Sequence, residues 1–555
     1  MNEILKLTLS DIFTLGGNDS IILTSKKVIL IQDYPRHSLE YSHLREIQGL
    51  YLDTIRKTEP KVEAPNHYLE YGKNNTLRLV PIRYKYWLQG RNFAKYFPTS
   101  SKTYMFIKID GKLVEETDEY RIRDYITKDL EANSVNGDFD YFNFMMQNKQ
   151  AFDPKFLFML ESRNVQFKQD TKDECFLYYQ NCIVKVTADK VETIQYDEVD
   201  EYVWRNQIIQ RDYVKSNHKD SEYRNFLYLV SGENMKRYKT LQSVVGYLLH
   251  GYKNKANNRA IILNDAIISE NPNGGSGKGL FCTGISHMKK VDSLNGKEVE
   301  FKSQFQNQTV RMDCQVLVFQ DVKRNFNFEN LFSVITEGIK IEYKNQPAVQ
   351  LPVEKSPRIV ITTNYTLGGI GGSHERRKFE VEFTNFFNEG KTPEDHFGHM
   401  LFDDWSDEEW MKFDNYMIKC IQVYLQKGLI KCEFENIKLK KFIRNTCNDF
   451  YEWTKNHDFV RFNTEISKIA THDDFIKDFP DGKKWVDITR IGKFIRLYCE
   501  YYDLDYSSGR DKYGIGSWFM IRNSKNKAIH SYDPTIVNIN EEQNNEYDND
   551  NEIPF

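Results

Sequence analysis

Lys278 stands in the string Gly274-Gly275-Ser276-Gly277-Lys278-Gly279, after a β-type apolar run that starts past Arg259. The helical pattern of Leu280, Phe281 and Ile285 follows at once. Strand, glycine-rich loop and helix start is what triphosphate binding needs. Backbone N–H groups free of Cβ obstruction wrap anionic oxygens, the helix dipole favours them, and a lysine reaches the terminal phosphates. The string leaves the GxxxxGK[ST] template twice. Pro272 stands where a glycine is expected, and Gly279 where a hydroxyl would help hold Mg²⁺.

Further polar groups lie at the ends of later apolar runs. Val316–Phe319 is closed by Gln320 and Asp321, the form of a buried strand that delivers a carboxylate beside a phosphate loop, where it holds Mg²⁺. The run after Pro357 ends in Thr362, Thr363 and Asn364, and an amide there can orient an attacking water. Arg376 and Arg377 precede another alternating strand, from which an arginine can reach a neighbouring subunit's γ-phosphate.

In order and spacing these motifs, over roughly residues 240–400, resemble superfamily 3 helicases, a viral, phage and plasmid branch of the AAA+ ATPases. The segment from Ile339 to Tyr365 is similar to that family's pre-sensor hairpin, as in the papillomavirus replicative helicase. Residues 170–235 resemble the middle region of phage-type primase-helicases. The resemblance implies ATP and Mg²⁺ as cofactors, Gly274–Gly279 as the phosphate loop and Lys278 as its lysine. It makes Asn364 the sensor amide. Arg377 is the arginine finger, by the spacing of Val381 and Phe383 after it, with Arg376 the fallback. Lys344, with Asn345, sits at a hairpin tip that would grip single-stranded DNA in a ring's channel. A homo-hexamer follows from the trans-acting arginine.

One departure bears on the chemistry. The family has adjacent acids after the apolar run, where this chain has Gln320-Asp321. Either Asp321 activates water and metal binding weakens, or Asp321 serves the metal and Glu329 or Glu337 acts as base. Slow or metal-demanding hydrolysis is expected in both cases.

The elements that must position these residues give an α/β, multi-domain fold class. The resemblance implies a central P-loop AAA+ (superfamily 3) ATPase, flanked by a mixed α+β N-terminal region and a C-terminal winged-helix-like domain. The expected layout is an N-terminal region over 1–130, a middle domain over 131–235, the ATPase over 236–435, and the winged-helix-like domain over 436–537. An acidic tail, 538–555, completes it. Helices are expected over Thr240–Gly251 (amphipathic), Trp405–Gln426 and Ile488–Tyr501, with a strand pair ending in WFMIR. Asp138 and Asp140 read as an acidic turn, and His396 and His399 as ordinary histidines without a third ligand.

Composition sets outer bounds. At roughly 150 residues per domain, 555 residues suggest three or four domains. Mean hydropathy of −0.64 and apolar runs far below about 18 residues argue against a membrane protein. The eight cysteines form no CxxC pair, which disfavours a zinc ribbon. A cytoplasmic protein of a bacterial host cell is the expectation. The net charge of −4 looks wrong for a nucleic-acid partner, but the last fifteen residues hold six of the 80 acids and none of the 76 bases. The remainder is weakly basic, and residues 438–527 carry 18 Lys and Arg against 13 Asp and Glu, which suits DNA docking. The tail ends in Ile553, Pro554 and Phe555, resembling the tip by which bacterial single-stranded DNA-binding proteins recruit partners. Host replication proteins are therefore expected there. The competing readings are a DNA-bound scaffold that binds ATP with little turnover, and the helicase half of a primase-helicase. A polymerising site in residues 1–170 lacks a convincing acid–His set.

Overall fold

The computed structural model describes residues 12–15, 20–23, 28–30, 38, 41–47, 68–74, 76–98, 104–132, 140–254, 256–266, 275–299, 301, 307–311, 313–342, 349–365, 367, 372–456, 459–510 and 516–524. The chain divides into two compact units, one of residues 1–95, 106–108 and 116–163, the other of 96–105, 109–115 and 164–555.

In the first unit Ile12–Leu15, Ser20–Leu23 and Val28–Leu30 pair antiparallel, and Leu69–Tyr71 pairs with Leu77–Leu79. Helix Pro81–Gly90 starts on a proline, whose fixed φ and missing N–H suit a first turn. Helix Glu119–Ala132 buries Ile122, Ile126 and Leu130, one face at i, i+4, i+8. Asp140 opens helix Asp140–Gln147 and is exposed, while Asp138 lies outside the described residues.

The second unit contains an antiparallel sheet of Cys175–Tyr178, Ile183–Val186 and Val191–Ile194. Helices α1 (Glu222–Val230) and α2 (Met235–Leu249) follow. Then come strand β1 (Ala260–Asp265), helix α3 (Lys278–Ser286) and strands β2 (Val291–Asn295), β3 (Val316–Gln320), β4 (Arg358–Thr363) and β5 (Lys378–Phe383). These strands form one parallel sheet in the order β2-β3-β4-β1-β5. All six residues of β1 are buried, as in a parallel sheet covered on both faces. Ile261 and Leu263 face the core that contains Phe281 and Ile285 of α3, whereas Ala260 and Ile262 face a second core with Leu317, Phe319 and Ile361.

Helix α4 (Asp407–Lys427) is capped by Ser406, whose hydroxyl accepts from the Glu409 N–H, and carries three acids in its first turn. It packs along α2. A Cβ on Gly246 of α2 would come within 2.1 Å of the Cys420 carbonyl oxygen, so only glycine permits this approach. The amphipathic pattern expected over Thr240–Gly251 is not what forms. The helix starts at Met235, and every residue from Thr240 to Leu249 is buried because α2 is enclosed on all sides. Helices α5 (Glu435–Asn445), α6 (Asn448–Asn456), α7 (Lys468–Asp478) and α8 (Ile488–Tyr502) then share a separate core with a small antiparallel sheet of Ile466–Ser467, Ser517–Arg522 and Asp505–Arg510. Asp487 caps α8 by accepting from the Arg490 N–H.

Candidate nucleotide site

The site lies at the carboxyl ends of β1, β3 and β4, where open parallel sheets bind ligands beside a topological switch. The chain leaves β1 for the edge strand β2, returns through β3 and β4, and crosses to β5 on the other side of β1.

Gly275 and Gly277 hold φ of 98° and 93°, in the left-handed region that glycine adopts without strain. A Cβ on Gly277 would also come within 3.0 Å of the Phe226 ring. Gly277 caps α3, so Lys278 is the first helical residue and the helix's unpaired N–H groups face the loop. Gly279, one residue on, has open space where a Cβ would stand. Gly274 lies outside the described residues.

Lys278 is buried, and its ammonium meets three side chains. It donates to Asn364 Oδ1 at 2.8 Å and to Ser276 Oγ at 3.3 Å, and it forms an ion pair with Asp265 Oδ1. The Ser276 hydroxyl donates to the same Asp265 oxygen. The β1–β4 register explains the meeting: Asn264 pairs with Thr363, so Asp265 and Asn364 are the next residues out on neighbouring strands. Asp265 Oδ2 is buried with no hydrogen-bond partner among the described residues. Lys440 of α5 donates to the Asp265 main-chain oxygen, and burial above all pushes its ammonium down to about 8.

Gln320 and Asp321, at the end of β3, have other partners. The Gln320 amide is exposed and donates to Ser293 Oγ at 3.3 Å. Asp321 adopts a φ of 50°, its N–H donates to Thr362 Oγ1 at 2.9 Å, and its exposed carboxylate stands 4.0 Å from Lys297 Nζ. Glu329 pairs with His374 at 3.1 Å. Arg377 donates to the Ser373 carbonyl at 2.9 Å and lies 4.5 Å over the Phe332 ring, while Arg376 is exposed. Of the two arginines, Arg376 is the one presented outward.

Strands Gly338–Ile341 and Val349–Pro352 pair antiparallel as a hairpin. Its tip, with Lys344 and Asn345, lies outside the described residues, as do Ile553, Pro554 and Phe555. His399 pairs with Glu222 at 2.9 Å, and His396 lies among Phe386, Phe387 and Phe397. No group of three or more metal-ligating side chains occurs among the described residues, and no described helix is long and apolar enough to cross a membrane.

Sequence reasoning passed over Asp265 and Lys440. The one signal for Asp265 was an acid two residues past the apolar run Ala260–Leu263. For Lys440 there was none, because it sits in a run of lysines that reads as a solvated helix face.

No known protein-family profile matches the sequence, and no curated protein does. Among solved structures the chain is similar to the C-terminal region of NrS-1, in its A-form apo structure, at 11% identity over 80% of this chain and 100% of that one, with a TM-score of 0.34. A structure of NrS-1 residues 305–718 gives 12% identity with the same coverage and a TM-score of 0.36. A structure of the JCV helicase is similar at 15% identity over 36% of this chain, with a TM-score of 0.21. The match spans 53% of that helicase chain.

Proposed function

We propose that this protein is an ATP-dependent DNA helicase of superfamily 3 type that replicates a phage or mobile element, moving on single-stranded DNA as a homo-hexameric ring. The observation that carries the reading is the meeting of Lys278, at the start of a helix behind two left-handed glycines, with Asn364 at the end of a neighbouring strand.

In this reading the loop N–H groups and the α3 N-terminus hold the β- and γ-phosphates, and the Lys278 ammonium moves from its side-chain partners onto them. That movement frees the Asn364 amide to orient the attacking water in line with the γ-phosphorus. The water oxygen bonds to phosphorus as the bond to the β-phosphate oxygen breaks, and a carboxylate takes the proton. Asp321, exposed at the end of β3, serves as that base or as a metal ligand. Mg²⁺ supplies neutralisation of the phosphate oxygens when bound. Arg376 or Arg377 reaches the next subunit's nucleotide, and Lys344 with Asn345 tracks DNA phosphates at the hairpin tip. Ile553, Pro554 and Phe555 dock host replication proteins.

The test is DNA-stimulated ATP hydrolysis together with strand displacement, with Lys278→Ala beside the wild type. Activity in the wild type alone supports the reading. Nucleotide binding with no turnover in either protein favours the ATP-bound scaffold, the reading supported by an amide at Gln320 and the missing hydroxyl at Gly279.

A further inference from the structure

Two oxygen donors are missing from their usual places in this site: an acid at Gln320 and a hydroxyl at Gly279. The structure holds an acid and a hydroxyl elsewhere at the same loop. We propose that Asp265 supplies a carboxylate of the Mg²⁺–nucleotide site, with the Ser276 hydroxyl beside it as the second oxygen donor. The proposal rests on the ATP-site reading above and assigns within it residues that no motif marks.

Asp265 continues the alternation of Ile261 and Leu263, so its side chain points to the face that α3 covers. It is 5% exposed, at the mouth of the phosphate loop. One carboxylate oxygen is engaged by Ser276 and Lys278; the other is buried without a partner among the described residues. A buried carboxylate oxygen left unpaired is costly, and in native proteins such a group calls for a water, an ion or a functional role. Asp321 differs on each count: its side chain is 58% exposed, it faces Lys297, and no contact with Lys278 is found. Mg²⁺ in nucleotide sites takes one or two carboxylates and completes its shell with phosphate oxygens and water, so a short donor set is enough.

Charge balance gives the sequence of events. Before nucleotide binds, the Lys278 ammonium neutralises Asp265. Phosphates that draw this ammonium away leave a buried anion without its cation. Asp265 and Ser276 would then hold a divalent ion bound with the nucleotide, which would supply the missing positive charge; until then Lys278 occupies the place next to Asp265.

The experiment is equilibrium binding of a fluorescent, non-hydrolysable ATP analogue to the full chain, in EDTA and across a Mg²⁺ titration. For Asp265→Asn the Mg²⁺ concentration at half-effect should rise about 10-fold or more. Binding in EDTA should be undiminished or tighter, because a negative charge has gone, and this arm also reports an intact fold. Ser276→Ala should shift the Mg²⁺ dependence the same way by less. Adding Gln320→Asp to Asp265→Asn should restore it. An unchanged Mg²⁺ half-effect in Asp265→Asn, with tighter binding throughout, would make Asp265 only a counter-ion to Lys278 and overturn the proposal. Equal loss with and without Mg²⁺ would overturn it too, leaving Asp265 a structural role. If Lys278→Ala binds the analogue as well as wild type does, the ATP-site reading itself fails, which is a separate result.

Discussion

Two buried cations stand at opposite ends of the parallel sheet, and they are held by different kinds of group. Arg358 opens β4; its guanidinium donates to the carbonyls of His250 and Tyr252 and to Asn258 Oδ1, at 2.6–3.1 Å, and lies 3.9 Å over the Tyr247 ring. Lys278, at the far end, is held by the side chains of Asp265, Ser276 and Asn364. Main-chain carbonyls cannot move away without unfolding the segments that carry them. Side chains on a loop and at strand tips can exchange an ammonium for a ligand. The amino end of the sheet is therefore architecture, and the carboxyl end is equipment.

The strongest way to break this contrast is to remove each cation in turn. Lys278→Ala should lower ATP turnover more than about 100-fold, a barrier change near 2.7 kcal/mol. Arg358→Met should instead cost about 3 kcal/mol in urea unfolding, because it strands buried acceptors and removes the cation–π contact. If Arg358→Met proved as stable as wild type, the amino end would not be the fixed partner of the pair. Next in size, Asn364→Ala should reduce kcat about 10- to 100-fold and leave nucleotide affinity within a few-fold, because an amide that orients water acts in the transition state. An equal loss in affinity would mean that Asn364 serves binding instead.

A third test probes the amino end through pH. Lys253 is buried there, donates to the Ser356 carbonyl, and is pushed down to about 7, first by burial and then by Arg358. The folded state therefore binds this proton more weakly than the unfolded chain, whose lysine titrates near 10.4. Stability should rise with pH between about 7 and 10, by about 1.4 kcal/mol per pH unit at most, and lose this slope below 7. Lys253→Met should flatten the rise; an unchanged slope would assign it to other groups.

The same contrast explains what the sequence disclosed. The glycines, Lys278, Asn364 and the strands before them were legible because phosphate binding imposes spacing on contiguous residues, and buried parallel strands are unbroken apolar runs. Asp265 was barely legible because its place beside Lys278 comes from a register between β1 and β4 that brings together residues 99 apart in Asp265 and Asn364. Lys440 was illegible because helix α5 packs a lysine against the end of β1, where charge and spacing alone predict solvent. Arg358 carries no motif, and its acceptors on His250, Tyr252 and Asn258 come from the connection between α2 and β1. Helix α2 misled in a related way: its polar residues Gln242 and Ser243 are buried with the rest, and the Ser243 hydroxyl accepts from the Ile430 N–H. Lys344 and Asn345 remain expectations carried by the flanking hairpin strands.

The smallest expected effect discriminates most finely within the carboxyl end. Gly279 follows Lys278 in α3, and a Cβ there would meet nothing within 4 Å, so Gly279→Ser fits without strain. Serine also favours a helical backbone more than glycine does, by a few tenths of a kcal/mol. The new hydroxyl stands where the phosphate-loop template places one for Mg²⁺. If Asp321 alone serves the metal, the shell is short of donors, and Gly279→Ser should lower the Mg²⁺ requirement of ATP turnover by about 10-fold. If Asp265 and Ser276 already supply the missing oxygens, an added hydroxyl finds its place partly taken. The requirement should then fall by no more than about 3-fold, or under about 0.7 kcal/mol. A Mg²⁺ titration of turnover on wild type and Gly279→Ser separates these outcomes, because both proteins keep Lys278 and Asn364 and differ only in the added hydroxyl.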